Sequence, residues 1–153
     1  MRKMTEKIAY RKILVPIDGS SKSIDAFKYA IRFANKFPNC EVHILYVIDE
    51  ENLKTLSSRE NKTYGELLRN YTRQAENYIN KAKQQIRFID FDNSLIKEKI
   101  LKGDPVEQII NYSSAFDLII MSIRGKKHVV DIMMGHVTER VINLSKIPVL
   151  IIS

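Results

Sequence analysis

The chain has 153 residues, of which 44% are hydrophobic and 28% charged, and its formal net charge is +7. These fractions are ordinary for a globular protein, and a single domain of this length buries enough surface to fold without covalent cross-links. Because the chain has one cysteine, an intrachain disulfide and a cysteine-rich metal cluster are excluded. No apolar stretch approaches the roughly 20 residues of a membrane helix, so we expect a soluble, cytoplasmic protein.

Residues 1–10 are predicted to form a flexible leader, followed by one domain over residues 11–153. The leader is basic but has no long apolar segment after it, which disfavours a signal peptide. The basic residues are spread along the whole chain. This favours a solvated surface over a nucleic-acid site.

The first part of the chain predicts a strand, a helix and a second strand. Residues 12–18 are a short apolar run that ends in turn residues, as a buried strand does. Ser20 or Ser21 can cap the following helix. A helical apolar stripe then steps by three or four residues through Ile24, Phe27, Ala30, Ile31 and Ala34. Residues 41–48 are apolar and rich in β-branched side chains, which predicts a second buried strand.

The middle of the chain predicts a polar connection and a long helix. Residues 53–62 are expected to be an irregular linker. Apolar residues then recur at helical spacing over residues 64–86, the most regular pattern in the chain. Tyr64, Tyr71 and Tyr78 recur every seven residues within it, and we interpret them as packing positions.

The last third predicts three strands and two helices. Residues 95–101 form a less apolar strand, which suits a sheet edge. Asp104 and Pro105 are favourable at the start of a helix, which continues over residues 106–112. Strands over residues 117–121 and 147–152 flank a final helix over residues 137–144.

Alternation of apolar strands and amphipathic helices predicts an α/β fold, with a parallel five-stranded sheet covered on both faces. Such sheets bind ligands beyond the carboxyl ends of their strands, where the strand order reverses. Two strand ends carry unusual residues, at positions 16–20 and 122–138. The second contains glycines and basic residues before a helix N-terminus, an arrangement whose backbone N–H groups can bind an anion.

Several well-known sites are absent from the sequence. There is no P-loop, no dinucleotide-binding glycine pattern after the first strand and no nucleophile elbow. His43, His128 and His136 lie in different elements, without metal-ligand spacing. We therefore expect no catalytic residues and no metal site, so any hydrolysis of a bound ligand should be slow.

The combined motifs resemble the universal stress protein family. The resemblance rests on residues 15–20, 47–49, 103–105 and 119–121, then on Ser122-x-x-Gly125-x9-Gly135-His136-Val137-Thr138 and residues 148–151. It covers the chain from about residue 11 to residue 153. The resemblance implies a Rossmann-like sheet with strand order 3-2-1-4-5 and a homodimer formed through the last strand, residues 147–152.

The resemblance also implies an ATP or related adenine-nucleotide site, with Mg²⁺ accompanying ATP, and a regulatory role in stress response. Asp18, with Pro16 and Ile17, would face the ribose and adenine, and Val47 would pack on the base. Met121 and Ser122 would flank the ribose or phosphates. The phosphates would be surrounded by Gly125, Gly135, His136, Val137 and Thr138. Arg124, Lys126 and Lys127 lie outside the family's pattern; their positive charge suits a triphosphate, and the alternative is a solvated loop.

This chain departs from the family's nucleotide motif G-x-x-G-x9-G-[ST] at two positions. Ser122 replaces the first glycine, and His136 replaces the terminal serine or threonine. The alternative hypothesis is therefore a nucleotide-free dimeric interaction module of the same fold. A third hypothesis, nucleic-acid binding, rests on the positive charge. For Asp18, the alternative role is to cap the first helix.

Overall fold

A computed structural model describes residues 7–124 and 135–153 of the chain. Its sheet has five strands in the order β3-β2-β1-β4-β5, and every neighbouring pair is parallel. The strands are β1 (Lys12–Ile17), β2 (Glu41–Asp49), β3 (Ile96–Gly103), β4 (Leu118–Ser122) and β5 (Val149–Ile152). The predicted α/β class and strand order are both confirmed.

The helices cover both faces of this sheet. They are α1 (Ser21–Ala34), α2 (Glu50–Glu60), α3 (Tyr64–Gln85), α4 (Pro105–Tyr112) and α5 (His136–Leu144). Short 3-10 turns lie at Asn93–Leu95 and Ser113–Ala115. Ser20 caps α1, and Asp104 caps α4 with Pro105 in its first turn, as the sequence predicts.

The expectation of an irregular linker over residues 53–62 is wrong, because most of this stretch belongs to α2. Asp49 starts that helix by accepting a hydrogen bond from the Asn52 N–H at 3.1 Å. Asn61 ends it in the left-handed conformation, with φ 53°. Leu53 is the only buried side chain of α2, so the apolar periodicity by which helices are recognised is missing here.

Two apolar layers hold the sheet between the helices. One packs α1 and α3 against one face, around Phe27, Ile31 and Ile79. The other packs α4 and α5 against the opposite face, around Leu14, Ile109 and Val141. β3 lies at one edge with Lys97, Glu98 and Lys99 exposed, which confirms the edge predicted from its lower apolarity. β5 forms the other edge.

Cys40 lies immediately before β2 and is 1% exposed. Burial, and secondarily the charges of Asp117 and Glu41, raises the pKa of its thiol to about 11. Because the thiolate is the reactive form, we expect the native protein at pH 8 to resist an aromatic disulfide reagent and the denatured protein to react at once. Stoichiometric labelling of the native protein within minutes would contradict this burial.

Candidate functional site

The ladder between β1 and β4 is short, and it lies where the strand order reverses. β1 and β4 are paired only at Ile13↔Leu118 and Leu14↔Ile119. Beyond that point β1 stays paired with β2 up to Ile17↔Tyr46, and β4 stays paired with β5 up to Ser122↔Ile152. The carboxyl ends of β1 and β4 therefore flank the point of strand-order reversal, and doubly wound folds bind ligands in the crevice outside these strand ends.

Pro16 accounts for the early end of this ladder. The Arg11 carbonyl accepts from β2, at the Glu41 N–H, whereas the Lys12 carbonyl accepts from the chain entering β4, at the Asp117 N–H. Since main-chain groups alternate in direction along a strand, position 16 faces β4, as Lys12 does. Proline has no N–H to donate there, so the ladder between β1 and β4 stops after Leu14.

Asp18 occupies the turn that leaves β1 on one side of the crevice. Its Oδ1 accepts a hydrogen bond from the Ser20 N–H at 3.0 Å, and its own N–H donates to Ser23 Oγ at 3.3 Å. Gly19 takes the left-handed conformation, with φ +87°, which glycine adopts without steric cost. Asp18 therefore shapes the turn, while the cap of α1 is Ser20, whose side chain accepts from the Ser23 N–H at 3.1 Å.

The end of β4 and the start of α5 form the other side. Main-chain groups of Ile119 and Ile123 bond to β5, so Ser122, between them, turns its carbonyl toward the crevice. The Thr138 hydroxyl donates to that carbonyl at 2.9 Å and is buried. The Gly135 N–H donates to the Ile123 carbonyl at 2.6 Å. These two hydrogen bonds fasten the first turn of α5 to the end of β4.

The N-terminus of α5 is thereby placed at the carboxyl edge of the sheet. Gly135 is its N-cap and contributes no side-chain hydrogen bond. The helical ladder starts with the Glu139 N–H, which donates to the Gly135 carbonyl at 2.9 Å. The N–H groups of residues 136–138, which precede Glu139, point along the helix axis toward this edge. The helix dipole favours negative charge there.

A sequence model described as the universal stress protein family matches residues 9–153. The chain belongs to the universal stress protein family. Among curated proteins, it is 32% identical over 146 residues to universal stress protein MJ0531 of Methanocaldococcus jannaschii, covering 94% of this chain and 82% of that protein. It is 31% identical over 159 aligned positions to MJ0577 of the same organism, covering 95% and 96% of the two chains.

Solved structures of universal stress proteins share this fold. The structure of MJ0577 superposes with a TM-score of 0.76 at 34% identity, covering 95% of this chain and 96% of that one. A universal stress protein in complex with cAMP superposes with a TM-score of 0.70 at 20% identity, covering 95% and 99% of the two chains. At that lower identity, the second comparison establishes the fold.

In this universal stress protein, three of the predicted apolar site residues share one face of the sheet. Val47, Met121 and Val137 all contact the core layer of α4 and α5. Pro16 lies on the same face by strand alternation from Leu14. Ile17 belongs to the opposite layer, with α1 and α3, so the structure does not bring its side chain to that group.

The remaining predicted positions differ in exposure. Ser122 is buried, and its hydroxyl donates to the Arg124 carbonyl at 2.7 Å. Arg124 is half-buried and His136 is exposed. Gly125, Lys126 and Lys127 lie outside the described residues.

Two tyrosines beside the site were not predicted as part of it. Tyr46, near the end of β2, stacks on Tyr78 of α3 with ring centroids 6.0 Å apart. Burial raises the pKa of Tyr46 to about 12, and smaller contributions come from Tyr78, the Asp18 carboxylate and Tyr71. The seven-residue recurrence of tyrosines along α3 was the only indication in the sequence.

Over residues 7–124 and 135–153, no cluster of side chains suited to hold a metal ion is present. In the same ranges, none of the helices combines the length and apolarity needed to cross a membrane.

A cavity of about 780 Å³ lies at the carboxyl end of α3, lined in part by Lys83, Arg87 and Phe88. None of its lining residues is a predicted site residue.

Proposed function

We propose that this universal stress protein binds an adenine nucleotide in the crevice between β1 and β4, with ATP and its Mg²⁺ as the first candidate. The observation that carries the proposal is the reversal of strand order between β1 and β4, with Asp18 beyond the end of β1 and the N-terminus of α5 bonded to the end of β4. The bound state would serve regulation in the stress response, the role that membership of this family suggests.

The chemistry of the two sides matches the two ends of a nucleotide. A carboxylate such as Asp18 accepts hydrogen bonds from ribose hydroxyls and would repel phosphates. The N-terminus of α5 favours phosphates through its oriented N–H groups. Val47, at the end of β2, would pack on the base, and Met121 and Val137 on the same face of the sheet would lie nearer the ribose and the phosphates. The cAMP complex of another universal stress protein supports the ligand class, because that protein has this fold and binds an adenine nucleotide.

Isothermal titration with ATP, in the presence and absence of Mg²⁺, tests the proposal. We expect Asp18→Ala to weaken binding by about tenfold or more, because hydrogen bonds to a charged group contribute about 1.5–3 kcal/mol. Asp25→Ala is the matched control, since Asp25 is exposed on α1. Absence of binding by the wild-type protein at millimolar ATP would refute the proposal and favour a nucleotide-free interaction module. A salt-sensitive gel shift with RNA or DNA would instead favour nucleic-acid binding.

We further propose that the chain forms a homodimer through β5. All four residues of this edge strand, Val149–Ile152, are apolar and only half-buried, and Ile142 and Leu144 of the adjoining α5 are 38% and 52% exposed. An apolar edge strand is prone to pair with another strand. The Pro148 and Ile152 carbonyls accept from β4, so by alternation the main-chain groups of Val149 and Ile151 face the free edge.

Ile151→Pro is expected to convert the dimer to a monomer that remains folded. The substitution removes an N–H that faces the free edge and leaves the hydrogen bonds to β4 in place. Ile151→Val, which keeps that N–H, should remain dimeric. Size-exclusion chromatography with light scattering measures the mass. A wild-type monomer at high micromolar concentration, or a dimeric Ile151→Pro variant, would contradict this interface.

A further inference from the structure

The turn that carries Asp18 is in close contact with an aromatic ring from a distant part of the chain. A β-carbon added at Gly19 would lie 2.6 Å from Cδ2 and Cε2 of Tyr78 and 2.7 Å from its Cδ1. The ring therefore fills the space next to Gly19 where a side chain would project. Glycine is needed here both for the left-handed backbone and for this contact.

Tyr78 contacts Tyr46 and Gln74 as well as the turn. Its ring stacks on Tyr46 at an interplanar angle of 18°, and its hydroxyl accepts a hydrogen bond from Gln74 Nε2 at 3.2 Å. Tyr46 belongs to β2 at the position paired with Ile17, the last residue of β1. The ring of Tyr78 is thus fixed relative to the sheet, and the turn rests against a rigid surface.

The same turn determines where the Asp18 carboxylate lies. One carboxylate oxygen accepts from the Ser20 N–H at 3.0 Å, so the direction of the side chain depends on the backbone at residues 18–20. The Asp18 carboxylate contributes to the raised pKa of Tyr46, which is consistent with its lying close to the tyrosine pair. A displaced ring at position 78 would let the turn and the carboxylate move together.

We propose that Tyr78 is a positioning residue that holds the Asp18–Gly19–Ser20 turn. Through this contact, α3 determines how strongly the crevice prefers a ribose with free hydroxyls over a sugar that lacks them. The inference rests on the proposed nucleotide function. It adds a residue from α3, about sixty positions away in the chain, to a site otherwise formed by strand ends and α5. The ring of Tyr78 acts through Asp18 and does not itself contact the sugar.

The test compares affinities for ATP and 2′,3′-dideoxy-ATP, which lacks the hydroxyls that Asp18 would bind. In Tyr78→Ala, the preference for ATP should fall by at least about fivefold, because a misplaced acceptor loses hydrogen bonds to the sugar. Tyr78→Phe keeps the ring and should keep the preference. Tyr71→Ala is the matched control, since Tyr71 is a half-buried tyrosine two helical turns earlier on α3. An equal loss in Tyr71→Ala would indicate general loosening of α3 and would overturn the proposal.

A second measurement does not depend on a ligand. Hydrogen exchange at the Ser20 amide, which is bonded to Asp18, should speed up in Tyr78→Ala and stay slow in Tyr78→Phe and Tyr71→Ala. Should Tyr78→Ala not fold, Tyr78→Leu keeps apolar volume without the flat ring and is expected to show both effects. Unchanged exchange and an unchanged preference in a folded variant would overturn the proposal.

The two proposals fail in different ways. If the wild-type protein binds no nucleotide, the proposed function is wrong and the ribose role of Tyr78 is lost with it, while the exchange data still report whether Tyr78 holds the turn. If the wild-type protein binds ATP and Tyr78→Ala keeps the same preference for it, only the positioning role is wrong.

Discussion

Replacing Phe27 with alanine is expected to lower the free energy of unfolding by about 3–5 kcal/mol, the usual cost of truncating a buried phenylalanine. Phe27 is 0% exposed in the middle of α1, and this helix contacts both β1 and β4. It therefore covers the sheet on both sides of the crevice. The loss should be visible as a lower midpoint in urea denaturation with little change in slope.

Phe88→Ala is the matched control for this prediction. Phe88 is 94% exposed after the end of α3, so its removal should change the free energy of unfolding by less than about 0.5 kcal/mol. A cost below about 1 kcal/mol for Phe27→Ala would mean that the core can refill the cavity, which close packing does not readily allow.

Thr138→Val is expected to cost about 1–3 kcal/mol of stability, because it leaves a buried carbonyl without its donor. The Thr138 hydroxyl supplies the hydrogen bond to the Ser122 carbonyl at 2.9 Å, on the side of β4 that faces β1, beyond the last paired residues of the two strands. Valine has nearly the shape of threonine, so little packing is lost. Urea denaturation measures the cost, and weaker nucleotide binding should accompany it as α5 loosens from β4.

Thr72→Val is the control, since the Thr72 hydroxyl also donates to a carbonyl, that of Leu68, at 2.7 Å. That carbonyl lies inside α3, where the helical ladder already provides a partner. We expect a change within about 0.5 kcal/mol. Equal costs for the two variants would show that the Ser122 carbonyl has no special dependence on Thr138.

The parallel sheet and its coverage follow from local patterns in the sequence. The sequence spacing predicts one helical stripe that includes Ile24, Phe27 and Ala34, and all three are buried in α1. The lower apolarity of residues 95–101 correctly indicated an edge strand, because an edge position leaves main-chain groups and side chains in contact with water. Both predictions depend only on which side chains are apolar enough to be buried. A short stretch of sequence is sufficient to show this.

Features that depend on distant neighbours could not be predicted in the same way. Helix α2 has one buried side chain, Leu53, and so lacks a periodic pattern. The contact of Tyr78 with Gly19 joins residues far apart in the chain. The effect of Pro16 depends on which neighbouring strand its nitrogen faces, and this is fixed by strand order and register rather than by the residues around it.

The short ladder between β1 and β4 has a consequence for how the site can vary. Pro16 offers no N–H to β4, so the main-chain pairing of these two strands ends before the residues that surround the proposed ligand. Ser122 and His136 lie beyond the last paired residues of β1 and β4. We therefore expect an exchange of either side chain to change which molecule binds and how tightly, and to leave the pairing of β1 with β4 as it is.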